Sequence, residues 1–345
     1  MRRSISIVWR FISRPALIGF AALWAIGCPS PAMAQDAKEI RVGIIGLDTS
    51  HAIAFTKLLN AKDAPAELAG CRVVAVYPKG SPDIETSVSR VPQYTEDIKQ
   101  LGVTICPSID AMLEQVDAVL LETNDGRPHL EQIRPVLAAK KPVFVDKPAA
   151  GSLADVLAIY REAAAANVPV FSSSSLRYTP GAQEIRNGAI GKVWGCDAFS
   201  PCSLESTHPD LFWYGIHGVE SLFTVMGTGC KTVVRSSTAD TDVVVGTWAD
   251  GRIGTFRGIR SGHRGYGGTA FGSTANRPIG DYAGYRPLVV EIVKFFRTGK
   301  PPVSSAETIE IYAFMEAADE SKRRGGAPVD VAEVLKKAQG GRTKQ

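Results

Sequence analysis

The chain has 345 residues, a length that suits two domains. Its 45% hydrophobic and 21% charged residues are typical of a globular protein and exclude a disordered, collagen-like or coiled-coil chain. The formal net charge of +4 comes from four arginines in residues 1–34, a segment without Asp or Glu. The rest of the chain is formally neutral and has no cluster of Lys and Arg, which argues against a nucleic-acid partner.

Residues 1–34 resemble an export signal. Basic residues precede an apolar run from Ala16 to Ile26, and Ala32-Met33-Ala34 offers small residues for cleavage before Gln35. The run is shorter than the roughly 20 residues that span a bilayer. We therefore expect a periplasmic or secreted protein without a membrane span once the leader is removed. An uncleaved anchor and lipidation of Cys28 remain alternatives, and Arg2-Arg3 leaves Tat export open beside Sec export.

From residue 39 onward, short apolar runs alternate with segments of helical periodicity. Helices are predicted between the strands, with Ser108 and Ser152 as N-caps of two of them. This alternation predicts a doubly wound parallel sheet over residues 38–175. The predicted strands are Ile40–Ile45, Cys71–Tyr77, Asp117–Thr123, Pro142–Val145 and Val168–Ser172.

Residues 176–335 show a different pattern. Four predicted strands follow one another without intervening helices, which favours a largely antiparallel sheet; they are Val193–Ser200, Lys231–Ser237, Asp242–Thr247 and Gly254–Ile259. The Gly-rich segment Gly262–Ile279 is predicted to be a long loop. Helices near Pro287–Arg297 and Ala306–Arg323 follow it. The predicted fold is α/β, with a parallel N-terminal sheet and a C-terminal α+β domain.

The cysteines and histidines do not predict a disulfide framework or a metal site. Five cysteines would remain after cleavage, and none forms a Cys-x-x-Cys pair. The histidines and acids show no ligand spacing on any single predicted element.

Several motifs in this order resemble the Gfo/Idh/MocA oxidoreductases, the glucose-fructose oxidoreductase and inositol dehydrogenase type. They are residues 41–46 (RVGIIG), Asp117-Ala118-Val119, Asn124 with His129, Asp146-Lys147-Pro148, Arg177-Tyr178 and Gly215-Ile216-His217. The resemblance implies a Rossmann domain that binds NAD or NADP. It also implies a small carbohydrate-like substrate, such as a sugar or cyclitol. The open sheet of the second domain would then form the interface of a homo-oligomer.

The glycines of the expected dinucleotide loop are incomplete. Such a loop has three glycines, for the turn, for close approach of the pyrophosphate and for helix packing. Gly46 takes the first place, whereas Asp48 and His51 stand at the second and third. Asp48 brings bulk and negative charge to the cofactor-binding segment, which also includes Leu47 and Ser50. Alternatively, Asp48 or Ser50 caps a helix that begins near His51.

The second strand lacks the acid that binds the adenosine ribose in such folds. Pro78 stands in its place, and Lys79 and Ser81 follow. These two residues could hold a 2′-phosphate, which would favour NADP. The alternative is a solvated turn, for which Pro-Lys-Gly-Ser is well suited.

Two residues carry the chemistry that the resemblance implies. Lys147 would hydrogen-bond the reacting hydroxyl and assist its proton loss, with Asp146 beside it at the sheet edge. His217 matches the histidine of the family's Asp-x-x-x-His element, although Trp213 replaces the aspartate. His217 would then act as a general base or orient a hydroxyl, and the alternative is an ordinary buried histidine. For Lys147 the alternative is a surface lysine before a turn.

The remaining candidates surround these two residues. By resemblance, Thr123, Asn124 and His129 would line the nicotinamide side. Arg177 and Tyr178 would enter the substrate pocket from the segment that joins the domains. A further hypothesis is that Trp213 and Tyr214 stack on a sugar ring, although large aromatic residues also serve as core.

These observations support two classes of function. The first is an exported NAD(P)-dependent oxidoreductase that acts on a secondary alcohol, with an NAD-dependent glycosidase or epimerase as a variant. The second is a carbohydrate-binding protein without redox activity, which has kept the fold and lost the cofactor. Asp48, Pro78 and Trp213 favour the second class.

Overall fold

The structure, a computed structural model, describes residues 39–340. The predicted export signal at residues 1–34 lies outside this range. Within it, no helix is both long enough and apolar enough to cross a membrane.

A six-stranded sheet forms the first half of the described chain. Its strands are β1 (Ile40–Ile45), β2 (Cys71–Tyr77), β3 (Thr104–Ile105), β4 (Ala118–Leu121), β5 (Val143–Val145) and β6 (Val170–Ser172). The order is β3-β2-β1-β4-β5-β6 and every neighbouring pair is parallel. The apolar runs of β4, β5 and β6 are fully buried, because helices cover both faces of a parallel sheet. The predicted doubly wound fold is confirmed.

Five helices alternate with these strands. They are α1 (Ser50–Leu59), α2 (Glu85–Gln100), α3 (Ile109–Leu113), α4 (His129–Ala138) and α5 (Leu153–Ala166). Ser108 and Ser152 cap α3 and α5 through their side-chain oxygens, as the sequence predicts. Parallel strands place all their carboxyl ends at one edge, so the loops after β1, β2, β4 and β5 meet there.

The second half contains a seven-stranded mixed sheet. A 3-10 turn (Ser175–Tyr178) and the helix α6 (Pro180–Arg186) precede the sheet in the chain, and the helices α7 (Asp210–Trp213) and α8 (Ile216–Met226) lie between its first two strands. The strands are β7 (Val193–Pro201), β8 (Cys230–Ser237), β9 (Thr241–Trp248), β10 (Ile253–Ile259), β11 (Gly267–Gly272), β12 (Asn276–Pro278) and β13 (Val329–Asp330). Their order is β12-β11-β7-β10-β9-β8-β13. Only β7 and β10 pair in parallel, which confirms a largely antiparallel sheet.

Two sequence predictions for this half are wrong. The segment Gly262–Ile279 contains β11 and β12, because its glycines allow close approach to β7. A Cβ on Gly268 would lie 2.1 Å from the carbonyl oxygen of Asp197. Helices α7 and α8 also interrupt the strands. Every residue of α8 is buried, so its sequence lacks the amphipathic period that marks a surface helix.

Three helices end the fold: α9 (Arg286–Thr298), α10 (Ser305–Arg323) and α11 (Val331–Gly340). The apolar face of α9 joins the core of the first sheet, where Leu288 and Ile292 share a buried cluster with Val42 and Phe55. The segment before α9 therefore runs along the carboxyl edge of the parallel sheet. This return places Tyr285 beside α1.

Candidate active site

A cavity of about 420 Å³ lies at the carboxyl edge of the parallel sheet. Its volume is within the range of small-molecule sites. Polar residues from the first half form one wall, and aromatic residues from the second half form the other. The lining residues are Thr49, Ser50, His51, Thr86, Arg90, Asn124, Lys147, Ser175, Leu176, Ser203, Trp213, Tyr214, His217, Tyr266, Tyr282 and Tyr285.

Lys147 lies on the cavity wall directly after β5. It is 6% exposed and precedes Pro148 through a cis peptide bond. The neighbouring Asp146 is fully buried, and its Oδ2 lies 2.7 Å from Nδ1 of His51. Burial by itself would raise the pKa of Asp146, but the charge and hydrogen bond of His51 hold it below its usual value. Asp146 therefore anchors the loop, and Lys147 faces the cavity.

His217 lies on the same cavity from the side of α8. Its Nδ1 is 2.7 Å from the hydroxyl of Ser174, and its ring makes an edge contact with Tyr214 at 4.9 Å. Burial and the positive charge of Lys147 lower the pKa of His217 well below its usual value. The imidazole is therefore neutral at neutral pH and can accept a proton. Trp213, at the position of the family's aspartate, also lines the cavity.

Arg177 and Tyr178 do not enter this cavity, contrary to the prediction. They line a separate cavity of about 520 Å³. The guanidinium of Arg177 is buried and forms ion pairs with Glu220 at 2.5 Å and Glu307 at 2.7 Å. Of the residues in the 3-10 turn, Ser175 and Leu176 line the cavity. The guanidinium of Arg177 instead stays with the carboxylates of Glu220 and Glu307, because a buried charge needs its partners.

The loop after β1 keeps the turn of a dinucleotide loop. Gly46 has a φ of +96°, and a Cβ there would lie 2.5 Å from the backbone nitrogen of Thr123. Only glycine fits this position. Thr49 caps α1 through its side chain, which corrects the proposed caps Asp48 and Ser50. Ser50 begins the helix and lines the cavity, whereas Leu47 is buried in the core.

Asp48 fills the position of the second glycine. Its side chain is fully buried, and its two oxygens accept hydrogen bonds from the backbone N–H of Asn124 at 2.9 Å and the hydroxyl of Ser87 at 2.8 Å. Gly80 packs against it, since a Cβ on that glycine would lie 3.0 Å from Cβ of Asp48. Asp48 thus joins the loops that follow β1, β2 and β4.

A second set of contacts, the loop clasp, joins the loops after β2 and β4. It consists of Ser81, Asp83, Asp125 and Arg127. The hydroxyl of Ser81 donates to Asp125 at 2.5 Å, and Arg127 pairs with Asp83 at 2.8 Å and Asp125 at 2.7 Å. Because β1 lies between β2 and β4, the loop clasp crosses the end of β1. Ser81 is therefore already bonded within the protein, and Lys79 is exposed to solvent.

Thr123 and His129 also lie outside the cavity, contrary to their predicted positions. The two ring nitrogens of His129 contact the carbonyl oxygens of Thr123 at 2.8 Å and Ala149 at 3.2 Å. The hydroxyl of Thr123 donates to Gln132 at 2.9 Å. Both side chains are buried and satisfied by neighbouring groups, so they stabilise the loop after β4.

The family's dinucleotide fits this edge only in part. Gly46 keeps the turn, and Ser50, Asn124 and Lys147 offer polar groups on the side where a nicotinamide would lie. On the adenosine side, Asp48 and the loop clasp fill the space between the loops after β1, β2 and β4. Hydrogen bonds and ion pairs hold these loops together, and a carboxylate stands where the family's second glycine would leave room for the pyrophosphate.

Several residues at this edge were not predicted as site residues from the sequence. Tyr266, Tyr282 and Tyr285 face the cavity from coil or Gly-rich segments that show no periodicity. Glu122 is fully buried at the end of β4, and neither of its carboxylate oxygens has a hydrogen-bond partner. Burial and the charge of Asp146 raise its pKa well above the usual value. A glutamate inside an apolar strand pattern is the signal that could have found it.

Comparison with known proteins agrees with this geometry. Residues 40–174 match the Gfo/Idh/MocA profile, which describes an oxidoreductase family with an NAD-binding Rossmann fold. This domain belongs to the Gfo/Idh/MocA oxidoreductase family. The sequence resemblance is thereby confirmed for the parallel sheet and the loops at its carboxyl edge. No curated protein sequence matches the chain.

Solved structures share the fold over nearly the whole described chain. Myo-inositol 2-dehydrogenase from Lactobacillus plantarum has a TM-score of 0.69 at 18% identity and covers 85% of this chain and 99% of its own. Scyllo-inositol dehydrogenase from Lactobacillus casei, with bound NAD(H) and scyllo-inositol, has a TM-score of 0.67 at 16% identity, covering 86% and 100%. An oxidoreductase from Agrobacterium radiobacter, in complex with NAD+, L-tartaric acid and magnesium, has a TM-score of 0.66 at 17% identity. It covers 86% of this chain and 100% of its own. At these identities the likeness establishes the fold.

Proposed function

We propose that the protein is an exported oxidoreductase that acts on a secondary alcohol of a sugar, cyclitol or related small molecule. The observation that carries the proposal is the presence of Lys147 and His217 on one cavity at the carboxyl edge of a Rossmann sheet. Oxidation of an alcohol requires a group that takes the hydroxyl proton. Both residues are close to fully buried, and the hydroxyl of Ser174 contacts Nδ1 of His217 at 2.7 Å.

The residues have distinct parts in this reaction. Lys147 holds the reacting hydroxyl, and the neutral imidazole of His217 accepts its proton. Trp213, Tyr214 and Tyr266 offer flat apolar faces and, in the tyrosines, hydroxyl groups that suit a polyhydroxylated ring. Their side chains also restrict access of water to the reacting atoms. A bound nicotinamide would supply the hydride acceptor.

The cofactor that we propose is NAD or NADP. NAD is supported by the family of the N-terminal domain and by the NAD(H) in the scyllo-inositol dehydrogenase structure. A preference for NADP would rest on Lys79 and Ser81. Since the hydroxyl of Ser81 is bonded to Asp125, only Lys79 is free to meet a 2′-phosphate in this conformation.

A specific observation favours a second candidate, a carbohydrate-binding protein without redox activity. Asp48 and the loop clasp lie on the adenosine side, where Asp48 accepts hydrogen bonds from Asn124 and Ser87, and Asp125 accepts one from Ser81. A protein that has lost the cofactor needs only the tyrosine-lined cavity. An NAD-dependent glycosidase or epimerase remains a variant of the first candidate, because it also needs the nicotinamide.

We also propose a periplasmic or secreted location and a homo-oligomer. The location is supported by the pattern of residues 1–34. The oligomer is supported by large apolar side chains that remain exposed on adjacent strands of the second sheet, namely Trp194, Phe199, Ile253 and Phe271. Such a patch is typical of an interface.

Nicotinamide content and turnover test the proposal directly. The purified protein is denatured and any released nucleotide is identified by mass spectrometry. NAD and NADP are then titrated by calorimetry, and a panel of polyols and sugars is screened for nicotinamide reduction. The proposal expects nucleotide binding and reduction with at least one polyol. Sugar binding without any nucleotide binding would instead establish the second candidate.

A further inference from the structure

Three ionisable side chains meet beneath the cavity from three different elements. His51 comes from α1, Glu122 follows β4, and Asp146 follows β5. One ligand atom of each lies within 4.8 Å of the other two, and all three residues are buried. No two of them share an element, which is why ligand spacing along the sequence does not reveal the group.

The carboxylates of this group have unused oxygens. Both oxygens of Glu122 and Oδ1 of Asp146 have no hydrogen-bond partner among the described residues. A buried carboxylate without a partner costs several kcal/mol unless a cation or proton meets it. Lys147 is the adjacent ammonium, yet it donates no hydrogen bond to Glu122. The contact between His51 and Asp146 satisfies only one of the four oxygens.

The local charge also calls for a cation. Asp48, Glu122 and Asp146 are three fully buried carboxyl groups around the ends of β1, β4 and β5, and burial with the charge of Asp146 raises the pKa of Glu122, so a nearby cation is needed to favour its ionised form. Lys147 contributes one positive charge against them, and His51 contributes another only when it is protonated. A divalent cation would balance this excess and would give the unpaired oxygens their missing partner.

We propose that His51, Glu122 and Asp146 bind a divalent transition-metal cation, Zn²⁺ or Mn²⁺. One imidazole and two carboxylates form a mixed nitrogen and oxygen ligand set that these ions accept. Ligands at about 2.0–2.2 Å from a cation lie roughly 3–4 Å from one another. The three ligand atoms lie within 4.8 Å of one another, so small movements would form the site: the 2.7 Å contact between His51 and Asp146 lengthens and Glu122 moves closer. This proposal replaces the sequence-based expectation that no metal site exists.

One ligand of the proposed site borders the cavity. His51 lines the cavity wall beside Lys147, whereas Glu122 and Asp146 are fully buried. A coordination position on the side of His51 would face the bound molecule, and a hydroxyl or carboxylate oxygen of that molecule would suit it. All three ligands come from the protein, so metal binding does not require a dinucleotide.

Metal content and binding test the site independently of turnover. Protein purified without chelator is assayed for metals by inductively coupled plasma mass spectrometry. After EDTA treatment, ZnCl₂ and MnCl₂ are titrated by calorimetry. We expect about one cation per chain, micromolar or tighter affinity and a raised melting temperature with the metal. Absence of binding below about 1 mM in the wild type would overturn the proposal.

Variants separate this site from surface binding. Glu122→Gln keeps the shape and removes the charge, so we expect at least a tenfold loss of affinity. Glu114→Gln, at an exposed position on the neighbouring α3 segment, is the matched control and should bind as the wild type does. Without metal, Glu122→Gln should be no less stable than the wild type, because an amide of the same shape replaces a buried carboxyl group whose oxygens have no hydrogen-bond partner among the described residues. Unchanged metal affinity in Glu122→Gln would contradict the assignment.

Discussion

The two sides of the carboxyl edge differ in how their polar groups are satisfied. On the adenosine side, Asp48 and Asp125 are buried and each accepts several hydrogen bonds from neighbouring loops. On the cavity side, Lys147 and His217 line the cavity, and neither carboxyl oxygen of the nearby Glu122 has a hydrogen-bond partner within residues 39–340. Polar groups that satisfy one another close a surface, whereas buried polar groups without partners indicate a missing ligand.

We therefore expect the polar groups of the adenosine side to stabilise the fold and those of the cavity side to take part in the chemistry. The same parallel sheet supplies both, because its strand ends bring all these loops to one edge. In the relatives with bound NAD(H) or NAD+, nucleotide is present in the same overall fold. Four predictions test the difference between the adenosine side, which we call the closed side, and the cavity side. The first concerns the buried ion pairs of Arg177 with Glu220 and Glu307.

Replacement of Arg177 by Met should have the largest effect, a loss of about 3–5 kcal/mol in the free energy of unfolding. The change leaves the buried carboxylates of Glu220 and Glu307 without their main cation. Urea denaturation measures it. Arg186→Met is the control, because Arg186 meets Glu307 from a half-exposed position and should cost about 1 kcal/mol or less. Equal losses in both variants would argue against a special role for the buried arginine.

Replacement of Lys147 by Met should reduce turnover by about 10²-fold or more, the usual contribution of a positioned acid-base group. Nucleotide and sugar affinity should change much less, because methionine keeps the length of the side chain. Steady-state kinetics on a responsive polyol, together with calorimetric titration, separates the two effects. Lys336→Met on the exposed face of α11 should leave turnover unchanged. Full activity in Lys147→Met would remove the residue from the mechanism.

Replacement of Asp125 by Asn should destabilise the closed side by about 1.5–3 kcal/mol at neutral pH. Burial raises the pKa of Asp125, but hydrogen bonds from His208, Arg127 and Ser81 outweigh it and hold the pKa below its usual value. This stabilisation is therefore present above about pH 4, the pKa of an unfolded aspartate, and is lost as the pH falls toward the folded pKa.

Denaturation of wild type and Asp125→Asn between pH 7 and pH 3 measures this dependence. The difference between the two proteins should shrink on acidification, and hydrogen exchange should show the loss in residues 80–87 and 124–127. Asp63→Asn, at an exposed turn, should show no such difference. A gap that stays constant down to pH 3 would mean that the charge of Asp125 does not hold the loop clasp.

Replacement of Asp48 by Gly should have the smallest effect, a gain of about tenfold in NAD affinity, equivalent to roughly 1.4 kcal/mol. The change removes a buried carboxylate from the loop after β1, where a pyrophosphate would lie. It also restores the second glycine of the family's dinucleotide loop. Calorimetric titration of NAD measures it, with Asp63→Gly as a control at a solvent-exposed turn. Weaker binding in Asp48→Gly would show that Asp48 supports the nucleotide site.

The sequence predicted much of the fold because its signals are local. Five apolar runs indicated five of the six strands of the first sheet, all but the two-residue β3, and Ser108 and Ser152 indicated two helix starts. The predictions failed where the local pattern is uninformative. Helix α8 is buried on all sides, polar residues included, and the glycines of β11 are typical of loops, although they pack against β7 here.

The candidate site divides in the same way. The order of motifs along the chain indicated Lys147, His217 and Asn124, and all three line one cavity. Arg177 and His129 matched the motifs equally well, but each is engaged by neighbours that a sequence cannot show. The tyrosines of the cavity wall were missed, since they come from coil segments that a returning helix brings to the sheet edge.

By itself, the sequence determined the alternation of strands and helices, the Asp-Lys-Pro motif after β5 and the loss of two loop glycines. These features depend on neighbours a few residues apart, so local patterns encode them. The tertiary structure decided which polar groups pair across loops. It closed the adenosine side through Asp48 and Asp125, and it brought His51, Glu122 and Asp146 together from three elements. Such contacts join residues about 24 to 95 positions apart, and only the packing of the sheet brings them within reach.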